Sequence, residues 1–152
     1  MTISTGDRLP AASFRKMTGD GPVEVTGEAL FAGRTVALFS VPGAFTPTCS
    51  ARHLPGFVEK ADALKAKGVD EIVCTAVNDA FVMGAWGASA GADGNGDFVR
   101  ALGLEMDGRA AGMGMRGQRF SLIAKDGVVT VLNVEAPREY NVSSADHMLA
   151  QL

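Results

Sequence analysis

Thr35-Val36-Ala37-Leu38-Phe39-Ser40-Val41, followed at once by Pro42-Gly43-Ala44-Phe45-Thr46-Pro47-Thr48-Cys49, decides the fold of this chain. The first seven residues are apolar and largely β-favouring, and their length suits a buried strand rather than a helix. Pro42 and Gly43 stop that strand. Beyond Cys49 the period changes. Leu54, Phe57, Val58, Ala61 and Leu64 recur at three- and four-residue spacing above Glu59, Lys60, Asp62, Lys65 and Lys67, the pattern of an amphipathic helix. Cys49 is thereby predicted in the first helical turn, where unpaired backbone N–H groups and the positive end of the helix dipole favour an anion over a neutral thiol. The thiolate is the nucleophilic form. Cysteines elsewhere commonly pack as small hydrophobes, but here turn, helix start and hydroxyl neighbours coincide, which points to reactivity.

Outward from this stretch, Glu71-Ile72-Val73-Cys74-Thr75-Ala76-Val77 is predicted as a second buried strand, with Asn78-Asp79 as a helix cap and Phe81 to Trp86 as helix. Phe120 to Ala124, the turn Lys125-Asp126-Gly127 and Val128 to Val134 read as an antiparallel hairpin. Ser143 or Ser144 is expected to cap a last helix ending near Leu152. The glycine-rich stretch Gly108 to Gly117 has no strand-loop-helix setting with a suitable lysine, so it reads as a loop rather than a phosphate cradle. A β-α-β unit followed by a hairpin and a closing helix describes an α/β sandwich, a mixed central sheet flanked by helices, with an N-terminal extension.

At 152 residues the chain fits a single domain, residues 1–152, with a substantial core. Its net charge is −3 and its basic residues are scattered, so nucleic acid is not an expected partner. No apolar segment approaches the roughly 20 residues of a membrane helix, and Met1 to Asp7 lacks the basic and apolar regions of a signal peptide. A reducing, cytoplasmic setting is the expectation. Cys49 and Cys74 do not resemble the framework of a disulfide-stapled domain, and with His53 and His147 they lack zinc-site spacing; no bound metal or cofactor is expected.

Pro42-x-x-x-Thr46-x-x-Cys49 resembles the peroxidatic signature of the peroxiredoxins, and Pro-Gly-Ala-Phe-Thr-Pro-Thr-Cys resembles their type-five, or plant type-II, branch. Four further blocks match that branch in the same order, so the resemblance covers nearly the whole chain. They are Cys49-Ser50-x-x-His53-Leu54-Pro55-Gly56-Phe57, Val77-Asn78-Asp79-x-Phe81-Val82-Met83-x-Ala85-Trp86, Ala101-Leu102-Gly103-Leu104-Glu105 and Arg119-Phe120-Ser121. The resemblance implies a thioredoxin-like fold and a thiol-dependent peroxidase acting on hydrogen peroxide and organic hydroperoxides. It also implies a homodimer formed near the active-site loops, which Phe45, Phe81 and Met115 would contact. The family usually fits a short apolar strand before the Asp93-Gly94-Asn95-Gly96 segment. Here Gly87 to Gly96 carries only glycine, alanine and polar residues, so that strand is expected to be missing, at a sheet edge, and replaced by a flexible connection.

The implied chemistry runs through a sulfenic acid on Cys49. The resemblance gives Thr46 the task of accepting a hydrogen bond from the peroxide while donating one to the thiolate. Arg119 is to stabilise the thiolate and the charge on the peroxide oxygens, with Arg116 as a nearby competitor for that role. Pro42 is to shield the pocket from water. His53 lies four residues after Cys49, which admits a thiolate-imidazolium pair and with it a cysteine hydrolase, although no hydrolase signature accompanies it; packing or hydrogen bonding near the site is the simpler role. A redox sensor or thiol-regulated binding protein is a further alternative. Some relatives carry a resolving cysteine near the C-terminus, where this chain reads Glu139-Tyr140-Asn141-Val142-Ser143-Ser144-Ala145-Asp146. Cys74 sits in an apolar strand and is expected to be inert, so an external thiol must finish the cycle. Glutathione with or without glutaredoxin is the favoured reductant, and thioredoxin the other.

Overall fold

A strand with an unbroken apolar middle, here Val36 to Phe39, must be covered on both sides, and it is. In a computed structural model, which describes residues 2–90, 94–95 and 102–152, the chain begins with the hairpin β1 (Ser13–Thr18) and β2 (Gly21–Thr26), then α1 (Gly27–Phe31) and β3 (Thr35–Ser40). A π-helical turn (Cys49–His53) leads directly into α2 (Leu54–Glu59), followed by α3 (Ala61–Ala66), β4 (Glu71–Thr75), α4 (Ala80–Ala90) and β5 (Gly94–Asn95). The small ribbon β6 (Glu105–Asp107) and β7 (Met115–Gly117) precedes β8 (Phe120–Lys125), β9 (Val128–Val134) and α5 (Ala145–Leu149).

The main sheet has the order β2-β1-β5-β4-β3-β8-β9 and is mixed: β3 runs parallel to β4 and antiparallel to β8. Alternate residues of β3 serve different cores. Val36 and Leu38 join Phe14, Phe31, Phe120 and Leu122, whereas Ala37 and Phe39 join Leu54, Phe57, Trp86 and Met148. Burial on both faces is why the sequence of β3 reads as an unbroken apolar run. The β8–β9 hairpin turns on Asp126 and Gly127, with φ of 49° and 74°. Both central residues therefore lie in the left-handed region, the type I′ geometry that an Asp-Gly pair signals. Asp79 caps α4 by accepting from the Val82 amide at 3.0 Å, and Ser144 caps α5 by accepting from the His147 amide at 3.2 Å.

Three expectations need correction. The segment is not without a strand: a two-residue strand, β5, lies within Asp93-Gly94-Asn95-Gly96 itself, and it sits inside the sheet rather than at its edge. Gly94 and Asn95 pair with Cys74 and Thr75 of β4 on one side, and Asn95 pairs with Lys16 of β1 on the other. A two-residue strand that pairs by its backbone leaves no apolar signature in the sequence. Of the expected flexible connection, positions 87–90 form the end of α4, and positions 91–93 and 96 lie outside the described residues. The stretch Gly108 to Gly117 is not wholly loop, since Met115–Gly117 pairs with Glu105–Asp107. Finally, α5 ends at Leu149 rather than near Leu152.

Gly84 of α4 lies hard against β1. A Cβ built on it would come 2.7 Å from Met17 Cβ and 2.8 Å from Met17 Cγ, atoms close to the β1 backbone that have little freedom to move away. The Gly84→Ala variant gains about 1 kcal/mol of helix propensity but is expected to lose about 1–3 kcal/mol to overpacking. Urea denaturation checks this, with a net fall in the unfolding midpoint expected; an unchanged or raised midpoint would contradict the contact.

Candidate active site

β3 delivers the chain at the end of the sheet, and hydrogen bonds shape the loop that follows. The Val41 amide donates to the Thr75 carbonyl at 3.0 Å, and the Ala44 amide donates to Asn78 Oδ1 at 2.9 Å. Phe45 turns the loop with φ of 61°, a left-handed conformation uncommon for a bulky side chain. Pro42 is half-buried on this loop. The helix then starts at Pro47, whose missing N–H is no loss in a first turn. Cys49 lies in that turn, as its place in the sequence predicted, and its side chain is fully buried.

The turn from Cys49 to His53 is wider than an α-helix. The Leu54 amide reaches the Cys49 carbonyl five residues back. Pro55 supplies a reason, because it has no N–H to donate and its ring crowds the carbonyl four residues before it, which a π turn relieves. Trp86 Nε1 donates to Ser50 Oγ at 2.9 Å, tying this turn to α4.

Arg119 crosses to Cys49 from the end of the loop before β8. Its Nη2 lies 3.4 Å from Cys49 Sγ, and its Nη1 lies 2.9 Å from His53 Nδ1. The His53 Nε2 is 3.0 Å from the Ser143 carbonyl. Arginine only donates and a carbonyl only accepts, so the tautomer follows: His53 carries its proton on Nε2 and offers the lone pair of Nδ1 to Arg119. Both ring nitrogens are thereby engaged, leaving none to take a proton from Cys49 as a thiolate-imidazolium pair requires.

The surroundings hold the imidazole neutral. His53 is fully buried among Phe39, Phe57 and Tyr140, with ring centroids 4.9, 5.7 and 5.0 Å away. Burial first, and the Arg119 charge second, lower its pKa from 6.5 to about 3, against a smaller raising effect of the bond to Ser143. Tyr140 also packs its ring under two cations, with Arg119 5.7 Å and Arg52 4.8 Å from the centroid. Among the described residues no carboxylate forms an ion pair with Arg119. Its partners are an imidazole lone pair, an aromatic face and a sulfur.

The other named residues fall differently. Thr46 donates its hydroxyl proton to the Gly43 carbonyl at 2.7 Å, so that proton is not offered to the sulfur; the oxygen lone pairs stay available as acceptors. Arg116, the competitor, donates Nε to the Met113 carbonyl at 2.6 Å, and it is Arg119 that meets Cys49. Cys74 is buried on β4, and both cysteines are free thiols. Burial, and then the proximity of Cys49, push the Cys74 thiol well above the ordinary thiol range, which keeps it protonated and unreactive. The parts played by Tyr140 and Ser143 were not foreseen from the sequence. Ser143 is 90 residues from His53 in the chain, and no local pattern encodes that separation.

The chain is similar to known proteins over nearly its whole length. Residues 4–149 match the Redoxin family model. The chain is 51% identical to Peroxiredoxin-2E-2, chloroplastic, of Oryza sativa over 99% of its own length and 73% of that protein. It is 47% identical to Peroxiredoxin-2B of Arabidopsis thaliana, covering 99% and 98% of the two chains. The crystal structure of reduced Prx3 in complex with H2O2 from Vibrio vulnificus superposes with a TM-score of 0.94, at 50% identity and 99% coverage of both chains.

The depressed His53 pKa ties stability to pH. The unfolded chain takes up the proton near pH 6.5, whereas the folded one resists it down to about 3. Stability is therefore full above pH 6.5 and declines as pH falls through that window, by about 1.4 kcal/mol per pH step well below 6.5. Urea denaturation at pH 7.5 and pH 5 is expected to differ by about 2 kcal/mol, and the His53→Gln variant is expected to remove most of that difference.

Proposed function

Because the chain belongs to the redoxin family and, within it, to the plant type-II-like peroxiredoxins, we propose that Cys49 is its peroxidatic thiol and that an external thiol recycles it. The observation that carries the reading is Arg119 Nη2 at 3.4 Å from a buried Cys49 Sγ, a contact spanning 70 residues of sequence. The Cys49 thiolate attacks the terminal oxygen of a hydroperoxide, the O–O bond breaks, and Cys49 becomes a sulfenic acid. The leaving alkoxide or hydroxide takes a proton and departs as alcohol or water. Arg119 stabilises the negative charge that moves from sulfur to the leaving oxygen. Thr46, with its proton committed to Gly43, accepts a hydrogen bond from the peroxide O–H and so orients it. Pro42, half-buried beside the loop, narrows access of water.

The sulfenic acid then condenses with a thiol to give a mixed disulfide and water, and a second thiol releases Cys49 as its partner leaves in a disulfide. Glutathione with glutaredoxin is the reductant of this reading, with thioredoxin the other candidate. The protonated, buried Cys74 favours an outside donor over an internal one. The reading extends to hydrogen peroxide and organic hydroperoxides as substrates and to the cytoplasm as the compartment. It also extends to a homodimer that covers Phe45, Phe81 and Met115, which are 60%, 64% and 47% exposed in the single chain.

Steady-state peroxide consumption with glutathione and glutaredoxin tests it. Turnover is expected for the wild type and for Cys74→Ser, and none for Cys49→Ser. Arg119→Gln is expected to slow the reaction with peroxide by about 10²–10³-fold, the usual effect of removing one charge-stabilising donor. After one equivalent of peroxide, peptide mapping with glutathione present is expected to find the adduct on Cys49. A Cys49–Cys74 disulfide would overturn the external-thiol route, and failure to turn over with any thiol would overturn the peroxidase reading.

A further inference from the structure

The contact between Arg119 and Cys49 is the end of a longer chain of hydrogen bonds that starts at a buried carboxylate. Glu135 follows β9 and is only 6% exposed. Its Oε1 accepts from the Asn141 amide at 2.7 Å, from the Ser143 amide at 2.7 Å and from Ser143 Oγ at 2.8 Å. No ion pair reaches this carboxylate among the described residues. A buried carboxylate is costly unless hydrogen bonds replace its water, and here three donors of one short segment do so. That segment presents the Ser143 carbonyl to His53 Nε2 at 3.0 Å. His53 Nδ1 in turn faces Arg119 Nη1 at 2.9 Å, and Arg119 Nη2 meets Cys49 Sγ at 3.4 Å. Glu135 also acts at the other end of this path, since its own amide donates to the Arg119 carbonyl at 3.0 Å.

We propose that Glu135 is a positioning residue for the Cys49 thiol, acting through Ser143, His53 and Arg119. The proposal rests on the peroxidase reading only for the purpose the positioned thiol serves; the positioning itself is a property of the reduced protein. Oε1 clamps the segment 141–143 so that the Ser143 carbonyl meets the imidazole edge-on, which selects the Nε2–H tautomer. That tautomer leaves Nδ1 as an acceptor, and the acceptor holds one arm of the guanidinium while the other arm meets the sulfur. What the path needs from Glu135 is an oxygen acceptor at the full reach of its side chain. Withdrawing that oxygen frees the Ser143 carbonyl and lets the ring turn, and Arg119 then loses its neutral anchor. A residue that merely held the fold together would alter stability without altering the reactivity of the thiol.

Two conservative variants separate reach from charge. Glu135→Gln keeps an oxygen at the same distance and loses the charge, whereas Glu135→Asp keeps the charge and draws the oxygen back by one methylene. The readout is the rate at which iodoacetamide alkylates Cys49 from pH 5 to pH 9, followed by mass spectrometry of the Cys49 peptide, with thermal unfolding in parallel. Neither measurement uses peroxide, so they succeed or fail independently of the peroxidase reading. Glu135→Gln is expected to follow the wild-type curve at every pH. Glu135→Asp is expected to react about tenfold more slowly near pH 7, a factor on the scale of one charge-assisted hydrogen bond, and to recover at high pH, so that its rate–pH curve moves upward. An Asp variant with the wild-type curve, whatever its melting temperature, would overturn the proposal, and so would a Gln variant displaced as far as Asp. Should the Asp variant not fold, Ser143→Ala removes one of the three bonds while keeping the carbonyl. A two- to threefold slowing in the same direction is then expected, and an unaltered curve would overturn the proposal.

Discussion

Among the described residues the guanidinium of Arg119 is held without a carboxylate, and that constraint is the one on which the rest of the site depends. In the proposed reaction, a carboxylate beside Arg119 would neutralise the charge that a sulfur anion or a departing oxygen needs, and a bare guanidinium would swing toward water. His53 resolves the conflict by offering a neutral lone pair at 2.9 Å, and Tyr140 adds an aromatic face 5.7 Å from the guanidinium carbon. The arrangement works only while the imidazole stays unprotonated, because an imidazolium would repel Arg119 and would lose the acceptor at Nδ1. Phe39, Phe57 and Tyr140 enforce that state by excluding water from the ring. Phe39 and Phe57 thus belong to the hydrophobic core and to the electrostatics of the site at once.

Unusual backbone gathers at the same place. Phe45 holds a positive φ, the helix opens into a π turn between Cys49 and His53, and each departure sits next to a side chain of the site. Such conformations persist where surrounding contacts over-determine them. Here the contacts are Asn78 on the Ala44 amide, Gly43 on the Thr46 hydroxyl and Ser50 on the indole of Trp86. The contacts to Asn78 and Trp86 link the loop and its helix to neighbouring segments, whereas the Gly43–Thr46 bond braces the loop internally, so the geometry around the sulfur depends on the packed sheet and helices as well as on the loop.

Much of the fold was legible in the sequence because its signals are local. The apolar run of β3, the Asp-Gly turn of the last hairpin and the caps at Asp79 and Ser144 each state their structure within a few residues. Cys49 was legible for the same reason, since a turn and a helix start mark it. β5 was not, because Gly94 and Asn95 join the sheet by backbone pairing and carry no pattern of their own. Arg119 was named only through family resemblance; spacing could not tell that a residue 70 positions away meets the sulfur. The direction of the Thr46 proton and the tautomer of His53 depend on which acceptors surround them in space, and neither can be read from residue order. The same holds for Glu135, a single acidic residue after a strand until the fold brings Ser143 to it.

The hold of Arg119 against Cys49 depends on the protonation of one ring, that of His53. Nitrogen-15 NMR of the histidine side chains in the reduced protein, with His53 assigned separately from His147, reads that state directly between pH 5 and pH 8. A proton on Nε2 and none on Nδ1 throughout this range is the expected result, in keeping with a pKa lowered to about 3. A doubly protonated His53 near neutral pH, or a proton found on Nδ1, would contradict the account, because Arg119 would then have no lone pair to hold it against Cys49.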